Sequence, residues 1–198
     1  MVDAALLESA LDRWCKALDA AAPELNALDG RLGDGDLGAT LQKCAANVRQ
    51  AAPALSDDLA DVFKRCGFAC ANASGSSFGT LLAVAFLTAS KAAARAERLD
   101  RRAIVQLLDQ VVAALAARGG AALGDKTMLD SLDAIARALD AAPDGAALRA
   151  VAVDAARSAL ERFRERPNRI GRARMFADKS VGLDDPGMVA VLRMSQSL

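Results

Sequence analysis

The stretch "DRRAIVQLLDQVVAALAA", Asp100 to Ala117, decides the fold class. Ile104, Leu107, Leu108, Val111 and Leu115 recur three or four residues apart, the spacing that lays one apolar stripe along a helix. Alanine, the strongest helix former, fills the intervals, and Asp100 stands where an N-terminal cap belongs. Outward from this segment the same spacing returns, as in Leu7, Leu11, Trp14 and Leu18, while strand-like alternation is scarcely visible. The chain reads as all-α.

Punctuation residues cut it into about eight helices, over 3–21, 37–50, 57–71, 76–95, 100–117, 127–140, 145–163 and 186–197. "SDD", Ser56 to Asp58, supplies a further cap. Connections at Pro53, Asp100 and Pro143 are short, which favours antiparallel neighbours and an up-and-down bundle. There is no internal repeat and no linker long enough to divide the chain, so residues 1–198 are expected to form a single domain.

Composition removes several function classes. No run of about 20 apolar residues free of charge exists, so no membrane span is expected. "MVDAALLESALDRW" carries acidic residues and no basic start, so it reads as the first amphipathic helix, with a cytoplasmic setting as the default. Lysine plus arginine equal aspartate plus glutamate at 25 each, which gives no footprint for nucleic acid. Cys15, Cys44, Cys66 and Cys70 never form CxxC and are expected as buried thiols; without a nearby partner ligand a zinc site is not expected. The chain has no histidine. It therefore cannot run a Ser/His/Asp triad or carry phosphohistidine, and proton transfer falls to carboxylates, lysine, thiols or a partner's groups.

Four connections differ from plain turns: 28–38, "NASGSSFG" at 72–79, "GGAALGDKTM" at 119–128, and 168–187. If helices alternate up and down, these four emerge at one end. In "LDGRLGDGDLG", Leu28 to Gly38, Asp34 and Asp36 project to one side if the loop is locally extended, and Asp29 can point back at them. Three unpaired carboxylates so close repel unless a cation sits between them, and hard oxygen ligands suit magnesium or calcium. The spacing is not that of an EF-hand, and magnesium completes its shell with water and substrate phosphates, which favours a metal–nucleotide site. The alternative is an acidic turn capping the helix that begins near Gly38.

Ser74, Gly75 and Ser76 precede an apolar helix and offer backbone N–H groups to an anion, without the GK[ST] of a Walker loop; the alternative is a serine cap, with Gly79 for close packing. "GDKTMLDSL" opens a helix with Thr127 as cap and Asp130 three residues on, and Lys126 adds a charge at the rim. The last connection, nearly twenty residues, combines Arg169, Arg172, Arg174 and Lys179 with "DDPG", in which Asp185 caps and Pro186 takes the first helical position. A loop of that length reads as a lid with phosphate-compensating charges, or as a solvated face.

Together "LGDGDLG", "ASGSSFG", "GDKTMLDSL" and "GRA…VG…DDPG" resemble, in order and spacing and over nearly the whole chain, the nucleotide-binding L subunit of bacterial dihydroxyacetone kinases. That unit also occurs as the C-terminal domain of single-chain ATP-dependent kinases. The resemblance implies an eight-helix antiparallel barrel with the nucleotide, ATP or ADP, at one end. It implies that Asp29, Asp34 and Asp36 form the catalytic centre and hold two Mg2+ ions that bridge the phosphates. Gly38, Ala39 and Thr40 fall under the phosphates, Ala73, Ser74 and Gly75 on the phosphate-proximal loop, and Gly124, Thr127 and Met128 near base and sugar. Arg172 falls on the lid arginine, and Asp185, Pro186 and Gly187 on the closing DPG. The implied partner is a separate K subunit that holds a small hydroxyketone or polyol covalently through its own histidine, which accounts for the histidine missing here. In one branch ATP exchanges freely; in the other, bound ADP is rephosphorylated by a phosphotransferase-system protein. Leu37 stands where the family often has histidine or cysteine, which leans to the ATP branch. A non-catalytic nucleotide-binding or regulatory module is the other function the resemblance allows.

Overall fold

The computed structural model describes residues 1–51, 58–73 and 77–198. Among them are eight α-helices: α1 Ala4–Leu32, α2 Leu37–Ala51, α3 Leu59–Ala73, α4 Ser77–Ala92, α5 Arg101–Gly119, α6 Met128–Ala141, α7 Leu148–Arg164 and α8 Pro186–Ser197. A 3₁₀ segment, Arg172–Ser180, lies between the last two. Each helix packs on the next, and α8 packs back on α1, which closes the ring into a barrel. No described helix is long and apolar enough to cross a membrane.

The helix read from Asp100 is found at Arg101–Gly119, with the Asp100 side chain accepting from Ala103 N and Gly120 closing it in the left-handed conformation. The first helix departs most from expectation: it runs on through Pro23 to Leu32 instead of stopping at 21. Proline inside a helix costs about 3 kcal/mol. Leu18, Leu25 and Leu32 sit at heptad spacing and are almost completely buried, and burying a leucine contributes about 1.5–3 kcal/mol. Two further leucines on the core stripe outweigh one exposed proline.

The main core fills the barrel and includes Trp14 and Phe86 edge to face, ring centroids 5.7 Å apart. All four cysteines are buried and unbridged, as expected. Burial pushes the Cys15 thiol up to about 11 and that of Cys66 up to about 12, so neither supplies a thiolate at neutral pH.

A second, smaller apolar cluster, Ala4, Leu59, Val62, Ala93 and Leu99, plugs one end. There Val2 and Leu99 exchange backbone hydrogen bonds of 2.8 and 2.7 Å, tying the start of the chain to the α4–α5 connection. Asp58 caps α3 by accepting from Ala60 N at 2.8 Å; Pro53, Ser56 and Asp57 lie outside the described residues. The other end carries the α1–α2, α5–α6 and α7–α8 connections, with the start of α4 beside them.

Candidate functional site

The acidic connection is a tight reversal between two helices. Asp29 belongs to the last turns of α1, not to the loop, and its Oδ2 accepts from Asp36 N at 2.9 Å and Leu37 N at 3.2 Å. Asp29 therefore caps α2 from across the reversal. Gly35, at φ +76°, takes a conformation that glycine adopts without strain. Carboxylate oxygens of Asp29, Asp34 and Asp36 come within 4.8 Å of one another, with Asp29 half-buried and the other two exposed. The structure thus combines both sequence readings: one carboxylate caps the helix, and all three converge.

This donor set fits a hard divalent cation. It offers three carboxylates on one side and an open side for water or phosphate oxygens, the arrangement magnesium favours. Charge is already partly balanced from the 168–187 connection, where Arg172 Nη1 pairs with Asp34 Oδ2.

Beneath the acidic turn, Gly38 brings α2 against α1: a Cβ there would lie 2.1 Å from Ala22 O, so any side chain would force the helices apart. Ala39 N donates to Asn26 Oδ1 at 3.1 Å, and Thr40, buried, donates its N–H to Asp36 O. Asn26, one turn before Asp29 on α1, was missed from the sequence although its i, i+3 spacing places it on the same helix face. Leu37 is buried in the core, which explains an apolar residue in the midst of a polar motif. Ala73 ends α3; Ser74, Gly75 and Ser76 lie outside the described residues.

The starts of α4, α6 and α8 meet at Gly187, where a Cβ would stand 3.3 Å from Phe78 and 3.8 Å from Met128. Thr127 and Asp130 form the expected capping box, and Asp130 also accepts from Gly124 N at 2.6 Å, so one carboxylate shapes the whole turn. Arg169 N donates to Asp125 O, joining this turn to the 168–187 connection.

Lys126 differs from expectation. Instead of adding charge at the rim it is fully buried, and burial pulls its ammonium below the usual lysine range. Asp185 caps α8 through Met188 N at 2.9 Å and accepts from Asn168 Nδ2 at 2.8 Å. Burial pushes its carboxyl up to about 6, against these bonds and the attraction of Lys126. Arg169, Arg172, Arg174 and Lys179 are all exposed on the 168–187 connection, whose 3₁₀ turns kink at Ala177, φ 31°. Arg164, at the end of α7, makes a two-pronged pair with Asp184, at 2.8 and 3.1 Å. Neither Asn168 nor Ser180 carried any signal in the sequence.

A charged 168–187 connection, helix starts converging on one rim and an acidic reversal are the surroundings in which the family match falls, for residues 31–198 fit the DAK2 domain model. The chain belongs to the DAK2 domain family. Among DAK2 relatives, it is 28% identical over 179 residues to the ADP-binding subunit DhaL of the PEP-dependent dihydroxyacetone kinase of Escherichia coli, covering 88% of this chain and 85% of that one. It is 32% identical over 182 residues to L-erythrulose 1-kinase of Mycolicibacterium smegmatis, covering 88% of this chain but only 32% of the kinase. The fold matches the crystal structure of dihydroxyacetone kinase from C. freundii in complex with AMP-PNP and Mg2+, with TM-score 0.78 and 26% identity over 98% of this chain and 33% of that one. This chain thus spans about a third of the length of those two kinases.

Proposed function

We propose that this DAK2 chain is the nucleotide-binding, phosphoryl-transferring component of a dihydroxyacetone-type kinase. It takes ATP, or ADP that is recharged in place, with Mg2+, and serves a small hydroxyketone or polyol held covalently on a separate substrate-binding subunit. The observation that carries the reading is the convergence of the Asp29, Asp34 and Asp36 oxygens within 4.8 Å beside the start of α2. The relatives named for kinases, and the neighbour holding AMP-PNP and Mg2+, support it.

Phosphoryl transfer needs positioning and charge neutralisation more than covalent chemistry. The metal, held by the three aspartates, would neutralise phosphate charge and orient the transferred group. The chain's own residues supply the rest. Met128 and Gly187 lie side by side at the starts of α6 and α8, which supports the assignment of Gly124, Thr127 and Met128 to base and sugar and of Gly187 to the closing DPG. Arg172, which opens the 3₁₀ segment of the 168–187 connection, stands where it can exchange the Asp34 carboxylate for a phosphate oxygen. With no histidine in the chain, the acceptor's hydroxyl proton is left to a carboxylate here or to a base on the subunit that carries the substrate.

Two measurements test this. Calorimetry should show Mg2+-dependent binding of ADP and ATP, and mixing with a substrate-binding subunit and dihydroxyacetone should give phosphorylated product that neither chain gives alone. Nucleotide binding without turnover on any such partner points to a regulatory module, and absence of Mg2+-dependent nucleotide binding rules the kinase reading out.

A further inference from the structure

Lys126 has no access to solvent and a backbone φ of +62°, a conformation that residues with a side chain rarely adopt. Its ammonium has three N–H donors, and Nζ lies 3.1 Å from Arg164 O, 2.8 Å from Arg166 O and 2.9 Å from Ser180 O. Three donors meet three carbonyls. The first two carbonyls are where the chain leaves α7 for the lid, and the third is where the 3₁₀ segment ends. One amino group therefore grips both feet of the lid.

The same grip reaches both helix starts assigned to the nucleotide. Lys126 immediately precedes Thr127 and Met128, and its carbonyl accepts from Asn168 Nδ2 at 2.9 Å. That amide also donates to Asp185 Oδ2, next to Pro186 and Gly187, while Asn168 N donates to Ser180 Oγ at 2.8 Å. Asn168 is 3% exposed. The hub has costs, since a buried ammonium is desolvated and the φ is strained, and the three carbonyls it satisfies would be left without a donor by an apolar side chain. Backbone strain held in place by a buried network is characteristic of a site that must keep one geometry.

We propose that Lys126 and Asn168 are positioning residues of the nucleotide site: they fix both feet of the 168–187 lid against the start of α6 and so set where Arg172 stands over the acidic cluster. The inference rests on the nucleotide-binding reading, and neither residue touches the ligand. Asn168→Ala removes the link to Asp185 and leaves the lysine in place; Lys126→Met removes the grip itself. Calorimetry with Mg–ADP should show a loss of about fivefold for N168A and at least about tenfold for K126M. Mn2+ alone, followed by its paramagnetic resonance, reads the acidic cluster separately and should bind both variants no more weakly than the wild type.

A route through the lid has a signature that general damage lacks. In an Arg172→Ala background, either change should weaken Mg–ADP clearly less than it does in the wild type, because the path through Arg172 is already gone and only the one through the helix starts remains. Unchanged Mg–ADP affinity in folded N168A, losses that simply add to that of R172A, or a parallel fall in Mn2+ affinity would each overturn the proposal. If K126M does not fold, N168A and its double variant decide. If wild type itself binds no Mg–ADP, the kinase reading fails on its own; proteolysis of the ligand-free lid still tests the grip, which requires faster cleavage within 168–187 in N168A.

Discussion

The two ends of the barrel use the same residue type for different purposes. At the plugged end Asp3 and Asp100 each cap the helix they precede, accepting from Leu6 N at 3.0 Å and Ala103 N at 2.8 Å. Each charge is used locally, and the apolar cluster around Leu59 and Leu99 shuts out water. At the open end Asp29 caps a helix across a chain reversal, and Asp34 and Asp36 are left to converge on it. Helix caps stabilise by about 1 kcal/mol each, whereas clustered carboxylates cost stability until a cation or an arginine joins them. The open end has single caps too, Asp130 and Asp185, but only there do three acids gather.

The largest expected contrast is in pH dependence. Burial raises Asp185 from the ordinary 3.8 to about 6, so the folded chain keeps this proton in a window where the unfolded chain has released it. Its contribution is fully present below about pH 4 and is lost as pH rises through about 6, a swing of roughly 3 kcal/mol. Asp12 and Glu24, held below the usual carboxylate range by Lys16 and Arg193, act in the opposite sense, so the difference from Asp185→Asn is the quantity to read. Urea unfolding at several pH values should show D185N gaining on wild type from pH 4 to 7. Parallel curves would mean that Asp185 is not a costly buried charge.

Next in size is Asp34→Asn, expected to weaken Mg–nucleotide binding about 100-fold, roughly 2.7 kcal/mol, with little effect on folding. Unchanged calorimetric affinity would separate the acidic cluster from nucleotide binding. Its counterpart is Asp100→Ala at the plugged end, which removes a cap and should lower stability by about 1 kcal/mol in urea while leaving Mg–nucleotide affinity alone. A fall in affinity there would mean that the ends are coupled and the division of labour is wrong.

What the sequence made legible follows the same division. Asp100, Thr127 with Asp130, and Pro186 after Asp185 are local signals, satisfied within one turn, and the structure bears them out. The carboxylate trio was legible too, since spacing and glycines announced the reversal. The end of the first helix, expected at 21, was not legible because Leu25 and Leu32 carry it past Pro23 by packing on the distant core. Lys126 misled more deeply: its burial depends on carbonyls 38, 40 and 54 residues away, and no local pattern encodes those. Leu37 read as an oddity within a polar motif until the turn of α2 placed it inward.

The smallest effect is the most diagnostic, because its sign should reverse with the probe. Arg172 pairs with Asp34, and both side chains are about half exposed, so the pair itself is worth little against solvent. Yet it holds a positive charge where a cation would sit. Arg172→Gln should therefore tighten binding of Mn2+ alone by about threefold, because the metal no longer competes with a guanidinium for Asp34. The same change should weaken Mg–ADP by about threefold or more, because a lid charge that compensates phosphate is gone. Both shifts come from one exchange, carboxylate for phosphate, made by the Arg172 side chain on a backbone that Lys126 and Asn168 hold in place. If Mn2+ and Mg–ADP affinities instead move in the same direction, Arg172 is a fixed part of the acidic cluster and does not exchange the Asp34 carboxylate for a phosphate.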